Sequence, residues 1–326
     1  MQTRKIDASV LETLMAAAVA APSIHNTQPW RFGLRTATRS IEVRADDRRT
    51  LPLVDPDRRA QHLSVGAAVF NLRVAVAYLG WDPVVRLLPD PGEPGLLATV
   101  QLTSPAGELP HCRRLYPAVE RRHTSRMPFT GRPVPEAVVA EMAEAARAEG
   151  ARLYVPDFAG TRLLLGLTAA AEARNQAHPA RAAESRTWIT APGAHVPYGI
   201  PLTALGPQDA GGRLPMRDFT GPLPVPHLPD QHFERHAQVA LLWTARDRRE
   251  DWLRAGQALE RVLLTATAHG VRTSMLHQAM EWPDLRAAAC LPQRRCCPQL
   301  LIRFGYGPDG GRTPRAPAGS TRHRGD

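Results

Sequence analysis

The sequence predicts an α+β protein whose two tandem, degenerate halves pack on one another as a pseudo-dimer within one chain. Three observations carry that expectation. Segments with the helical spacing of apolar residues alternate with short β-branched and aromatic runs. An internal repeat lays Gly66-Ala-Ala-Val-Phe-Asn-Leu-Arg-Val-Ala-Val-Ala-Tyr-Leu-Gly80 on Gly256-Gln-Ala-Leu-Glu-Arg-Val-Leu-Leu-Thr-Ala-Thr-Ala-His-Gly270, with both glycines, Ala68/Ala258 and most apolar positions in register. A chain of 326 residues, 43% of them hydrophobic, can bury a substantial core without disulfide or metal staples. The halves are expected at 1–116 and 117–326.

The elements follow in order. Val10, Leu11, Leu14, Met15, Ala18 and Val19 form the stripe of a helix over 8–21, which Pro22 ends. Arg4 and Lys5 before this apolar stretch imitate a secretory leader, but Asp7 and Glu12 interrupt it, so a helix is expected. A polar loop, 23–29, leads into a strand at 30–34 paired with 41–43. A second, more buried helix covers 61–79, and a strand 96–101. The second half is expected to run through a helix at 135–149, a strand at 151–155 and a helix at 162–175. It resumes with a strand at 237–244, a helix to Ala268 and a strand at 299–304. Gly66 and Gly256 are expected to open helices where backbones approach closely, and Gly80 and Gly270 to cap them in the left-handed conformation.

Between these lies 178–230, dense in proline and glycine and without a sustained period. It nevertheless carries Trp188, Tyr198, Ile200, Met216 and Phe219, too many large apolar groups for a free linker. A long insertion packed over the rest of the chain is expected. The Gly/Pro/Arg-rich tail after Gly305 reads as disordered, or as an arm that brings Arg315 to a phosphate.

Composition narrows the function. The net charge is +10, but Lys5 is the only lysine and the arginines are spread along the chain. Nucleic-acid binding needs clustered charge, so a nucleic-acid-binding module is a distant alternative, whereas an anionic small ligand needs few arginines. No stretch approaches the ~20 apolar residues of a membrane span, so no membrane partner is expected. Cys112, Cys290, Cys296 and Cys297 make neither a good disulfide frame nor a zinc motif. Reduced thiols and a cytoplasmic location are expected. His232 and His236 would sit one helical turn apart if their stretch were helical; with His227 they give a metal-dependent enzyme as a second distant alternative.

Four segments could carry chemistry. Pro22-Ser23-Ile24-His25-Asn26-Thr27-Gln28-Pro29-Trp30 holds hydroxyl and amide groups between two prolines, suited to a polyol chain or the edge of a heterocycle, or simply to a capped turn. Arg121, Arg122, His123, Thr124, Ser125 and Arg126 make a phosphate cradle or a solvated basic turn. The backbone after Gly270 could face a ligand. Thr313-Pro314-Arg315 is the fourth.

Taken together, Pro-Ser-x-x-Asn-x-Gln-Pro-Trp at 22–30 and Arg-His-Thr-x-Arg at 122–126 resemble the nitroreductase superfamily of FMN-binding proteins. The double length, with Asp-Trp-Leu-Arg-Ala-Gly at 251–256 and Leu-Ile-Arg-Phe-Gly at 301–305, is similar to the Acg-type branch. The resemblance implies a nitroreductase-like fold and one composite FMN site between the fused halves. The reciprocal site would be degenerate, since Glu149-Gly150-Ala151 stands where Pro-Ser-x-x-Asn should be. It implies that Arg122, Arg126, Arg315 and His123 neutralise the FMN phosphate, and that Ser23, Asn26 and Thr124 bind the ribityl hydroxyls. Gln28 and the amides after Gly270 would meet the isoalloxazine, and His25 belongs to the same loop. No side chain is expected to act as a nucleophile. The implied activity is oxidoreduction from NAD(P)H through FMN to a small nitro- or quinone-type acceptor. The alternative is an FMN-sequestering protein whose 178–230 segment closes as a lid. A monomer is expected, with further dimerisation possible.

Overall fold

The computed structural model describes residues 6–104, 111–191, 196–219, 229–290 and 296–321. The first half opens with α1 (Ala8–Val19), whose N-cap Asp7 accepts a hydrogen bond from the Val10 amide. There follow β1 (Trp30–Arg35), β2 (Ser40–Ala45), α2 (Arg59–Tyr78), β3 (Asp82–Leu87) and β4 (Leu96–Thr103). The second half runs from the short α3 (Tyr116–Val119) through α4 (Glu136–Ala148), β5 (Arg152–Tyr154), α5 (Phe158–Ala177) and α6 (Pro179–Arg186). It continues with β6 (Gln238–Thr244), α7 (Arg249–Ala268), β7 (Arg272–Leu276), α8 (Pro283–Ala288) and β8 (Cys297–Gly305).

Each half holds one antiparallel four-stranded sheet, ordered β1-β2-β4-β3 in the first and, read from its β5 edge, β5-β6-β8-β7 in the second. In both, the long helix joins the second strand to the third, so the repeat seen in the sequence is also a repeat of topology. β3 is an element the sequence reading did not anticipate. It lies at a sheet edge, begins Asp82-Pro83 and buries little, so it carries no strong periodic signal.

The central helices α2 and α7 cross at the repeated glycines. A Cβ built on Gly66 would fall 2.2 Å from the Leu253 carbonyl oxygen, and one on Gly256 would fall 2.1 Å from that of Leu63. Close approach was expected there, but the glycines lie inside the helices, which begin at Arg59 and Arg249. Gly80 and Gly270 do cap them, at φ +92° and +71°. Leu253 and Leu264 of α7 enter the core of the first half, while Leu259, Val262 and Leu263 belong to that of the second, so α7 serves both cores.

Several expectations are corrected. Residues 179–186 are helical, because His178 accepts the Arg181 amide at the N-terminus and Pro179 suits the first turn. The tail is ordered through Thr321: Ala316 is buried and its amide donates to Gln28 Oε1 at 2.9 Å. Cys290 and Cys296 are joined as a disulfide, so the expectation of reduced thiols, and the support it lent to a cytoplasmic location, rests on Cys112 and Cys297 alone. The stretch around His232 and His236 is not helical and both are exposed, so their ligand spacing is not realised; His227 lies outside the described residues. Arginines are spread into ion pairs, as at Asp46, which lies 3.2, 3.0 and 3.5 Å from Arg31, Arg48 and Arg49. No described helix is long and apolar enough to cross a membrane.

Candidate cofactor site between the two halves

Three strands of chain converge between the halves. The first is the loop after α1. Ser23 Oγ accepts from the Gln28 amide at 2.9 Å and closes the loop. Within it His25, Asn26 and Gln28 all take positive φ, at 47°, 54° and 50°. For residues other than glycine this conformation costs of order 1 kcal/mol each, and such strain persists only where surrounding contacts impose it. Here the contacts are visible. Asn26 Nδ2 donates to the Gly199 and Pro314 carbonyls at 2.8 and 3.0 Å, and Gln28 Nε2 donates to Pro197 O at 2.6 Å. The loop is thereby tied to both the insertion and the tail.

The second strand of chain follows α3. Thr124 bridges to Thr273 at the edge of the second sheet, and the Ser125 amide donates to Thr273 O at 2.9 Å. This docking fixes Arg122, His123 and Arg126 over the cleft. The third is the tail, where Arg315 Nη1 donates to Asn26 Oδ1 at 2.9 Å.

Of the ten residues expected at the site, eight line one cleft: Ser23, His25, Asn26, Arg122, His123, Thr124, Arg126 and Arg315. Gln28 does not. It is fully buried, and its amide clamps Pro197 and Ala316 instead of facing the cleft. Gly270 does not either; it is an exposed helix cap, while Ser274, Met275 and Leu276 farther along that strand reach the cavity. Asn26 lines the cleft, but its amide is committed to Gly199, Pro314 and Arg315, which makes it a strut.

The cleft opens into a larger chamber of about 100 Å³. Ser23, His25, Thr124 and Arg126 belong to both. The chamber adds an apolar lining of Leu63, Leu259, Leu276 and Leu300. Ile200, Met216, Arg217 and Phe219 of the insertion complete its wall.

The electrostatics favour an anion in the cleft. Burial pulls the Arg126 guanidinium down to about 10, helped by Arg217, and pulls Arg315 down to about 9, helped by Arg122 and opposed by Glu260. Arg122 Nε, Arg315 Nε and His25 Nδ1 are buried donors with no hydrogen-bond partner, while His123 donates Nδ1–H to the Arg121 carbonyl at 3.0 Å and turns Nε2 toward Asp309 at 3.6 Å. Buried donors left unpaired are costly, and a phosphate would relieve that cost at the two arginines and His25.

The chamber wall is organised by residues that the sequence reading missed. Glu281 is fully buried; burial alone would raise its carboxyl, but Arg217 and the hydrogen bond from His277 hold it at about 2. It pairs with Arg217, and with Arg181 at 3.2 Å. Arg217 also donates to His25 Nε2 at 2.6 Å. Burial, then Arg217, holds His25 well below the usual histidine range, so it is neutral near pH 7 and its proton sits on Nδ1. Arg217 comes from the insertion, and His277 and Glu281 from one turn after β7; only the large apolar residues flanking Arg217 hinted at the network.

The chain is similar in sequence to known proteins. The sequence signature described as the Nitroreductase family matches residues 119–306. Over 313 residues the chain is 33% identical to the provisionally named NAD(P)H nitroreductase Rv3131 of Mycobacterium tuberculosis, covering 94% of this chain and 88% of that protein. It is 29% identical over 336 residues to the provisionally named NAD(P)H nitroreductase acg of the same organism, covering 99% and 98% respectively. Among solved structures, the FMN-dependent nitroreductase NfnB of Mycobacterium smegmatis in complex with NADPH matches at 18% identity and a TM-score of 0.41, over 65% of this chain and 100% of that one.

Proposed function

The chain belongs to the nitroreductase family, and from that premise we propose that it is an FMN-dependent oxidoreductase. It would take electrons from NAD(P)H and pass them to a small organic acceptor of nitro or quinone type. The observation that carries this reading is the cleft itself, where buried, partnerless donors from both halves and the tail face one space that continues into an apolar chamber.

The residues fit FMN. Arg122, Arg126, Arg315 and His123 would hold the phosphate, with Ser23 and Thr124 toward the ribityl chain. The chamber would take the isoalloxazine against Leu63, Leu259 and the backbone of Ser274–Leu276. When bound, FMN supplies the two-electron chemistry, and the protein supplies binding, orientation and electrostatics. His25 would present Nδ1–H as a fixed donor, since its other nitrogen is occupied by Arg217.

One FMN per chain is expected. In the other half the loop between α4 and β5 holds Glu149, whose side chain is buried and paired with Arg73 and with Arg261 at 2.8 Å. Both arginines of that cluster are already ion-paired to Glu149. Both walls of the cleft come from one chain, so the site is complete in a monomer. A flavin-to-chain ratio near two in purified protein would contradict this.

Arg315→Ala should weaken FMN binding by about 1.5–3 kcal/mol, the range for hydrogen bonds to charged groups. Removing residues 309–326 should do at least as much. A flavin-fluorescence titration measures both, and unchanged affinity in the two variants would remove the tail from the site.

A second reading is FMN sequestration without turnover. It is favoured by the insertion, whose Met216, Arg217 and Phe219 wall the chamber while Arg217 is pinned to Glu281 and His25. An absorption spectrum before and after anaerobic NADPH and NADH separates the two. Bleaching of the flavin band within minutes supports the oxidoreductase. A band that persists with both donors but bleaches with dithionite supports sequestration. Protein that takes up no FMN overturns both.

A further inference from the structure

Glu260 lies within α7, fully buried, and neither of its carboxylate oxygens has a hydrogen-bond partner. Arg122 Nε stands 3.4 Å from Oε1, near enough to pair but without hydrogen-bond geometry. The groups that face it can be named element by element. From α2 comes Asn71, whose Nδ2 donates to Ala17 O at 3.0 Å. The segment after α3 contributes Arg122, and the tail contributes Arg315. The end of α1 offers only carbonyls: Ala20 O accepts from Arg122 Nη2 at 3.0 Å and from Arg315 Nη2 at 3.4 Å. On α7 itself Gln257 and Arg261 turn instead to Arg73 and Glu149, which form a separate cluster.

Glu260 is therefore a lone buried acid behind two guanidiniums that both line the cleft, each with an unpartnered Nε. With its proton off, the trio of Arg122, Arg315 and Glu260 carries one net positive charge. With its proton on, it carries two, matching a phosphate dianion.

We propose that Glu260 is a proton-linked positioning residue: it holds Arg122 while the cleft has no anion, and takes up one proton from solvent as a phosphate group binds. The identity of that phosphate rests on the FMN reading above. The physical cause is Coulombic. Two negative charges brought to the far side of the same arginines disfavour a third behind them and leave both guanidiniums to the ligand. The direction agrees with the environment, because burial already pushes the Glu260 carboxyl up to about 7 against the pull chiefly of Arg122.

The test is FMN affinity from pH 7 to 8.5, where a phosphate monoester with its second pKa near 6 is almost wholly dianionic. Affinity should fall as pH rises, approaching about tenfold per pH unit for one linked proton. Riboflavin, which lacks the phosphate, should show no such slope, and Glu260→Gln should flatten the FMN profile. His25 and His123 on the cleft wall are unchanged in that variant, so the difference isolates Glu260. Titration calorimetry of the full-length wild type at pH 7.5 in two buffers of different ionisation heat should show most of a proton taken up per FMN, roughly three-quarters for a carboxyl at about 7, and it needs no variant. FMN binding without proton uptake, or equal slopes in wild type and Glu260→Gln, overturns the inference and leaves the FMN reading standing. Failure to bind FMN, with proton-linked binding of inorganic phosphate retained, overturns the FMN reading alone. Failure to bind either overturns both.

Discussion

Glu281→Ala should destabilise the protein by about 3–5 kcal/mol, the usual cost of breaking a buried ion pair from one side. The carboxylate is fully buried and neutralises Arg217 and Arg181, whose side chains are themselves only 12% and 9% exposed. Removing it leaves two buried cations facing one another, and hydration of those charges requires the chamber wall to open. Urea unfolding measures the first effect. Faster proteolysis around Arg217, relative to the rest of the chain, reports the second. Glu281→Gln keeps the shape and loses the charge, so it should fall between wild type and alanine. A Glu281→Ala protein as stable as wild type would show that Arg217 is held by the packing of Phe219 and Met216 instead.

The same carboxylate sets the acid limb of stability. Its pKa is held at about 2 against an ordinary value of 4.5, so its contribution is complete above about pH 5 and is lost as pH falls toward 2. That contribution is of order 3 kcal/mol. His25 and His277 are depressed by burial and resist protonation in the folded state, so stability should begin to decline as pH drops below about 6.5. Wild type should thus weaken in two stages, and Glu281→Gln should lack the second.

Gly256→Val should destabilise by about 3 kcal/mol or more, and Gly66→Val similarly. Two effects compete when a side chain is added here. Replacing glycine inside a helix gains up to about 1 kcal/mol of propensity, as Gly→Ala shows. Against that, the new Cβ would sit about 2 Å from a carbonyl oxygen of the opposing helix, 2.1 Å for Gly256 and 2.2 Å for Gly66. No rotamer relieves a contact with backbone, so the helices must move apart and the contact loses. Alanine should already be net destabilising. The double alanine variant should cost less than the sum of the singles, because both widen the same crossing. Flavin affinity should fall too, since the crossing sets the distance between the loop at Ser23 and the segment at Arg122. Gly66→Ala with raised thermal stability and unchanged flavin uptake would mean that the crossing is looser than described.

Much of this could be read without coordinates, and the reasons are local. Apolar spacing is a property of contiguous residues, so α1, α2, α4, α7 and the strands around Val43, Val100 and Leu241 were legible. So were the two candidate segments, because hydroxyl, amide and guanidinium groups at 22–30 and 122–126 suit a polar, anionic ligand by residue type. The repeated glycines were visible as a spacing, and Gly80 and Gly270 as caps. What could not be read depends on residues distant in sequence. β3 is an edge strand begun by Asp82-Pro83 and has too little burial to leave a pattern. The tail is polar and flexible in composition, and is ordered because Gln28 and Asn26, almost three hundred residues earlier, bind Ala316 and Arg315. Gln28, expected at the isoalloxazine from the family resemblance, is consumed by that task. The charge network of Arg217, His277 and Glu281 exists only because the insertion folds back over the chamber.

Residue type and periodicity therefore determined the elements, the repeat and the chemistry offered to a cofactor, since each is encoded within a few neighbouring residues. Packing decided that the repeated glycines face one another, that the tail closes the cleft, and that Glu260 and Glu281 lie buried beside arginines from remote segments. Desolvation and Coulomb energy act between groups close in space, whatever their separation along the chain.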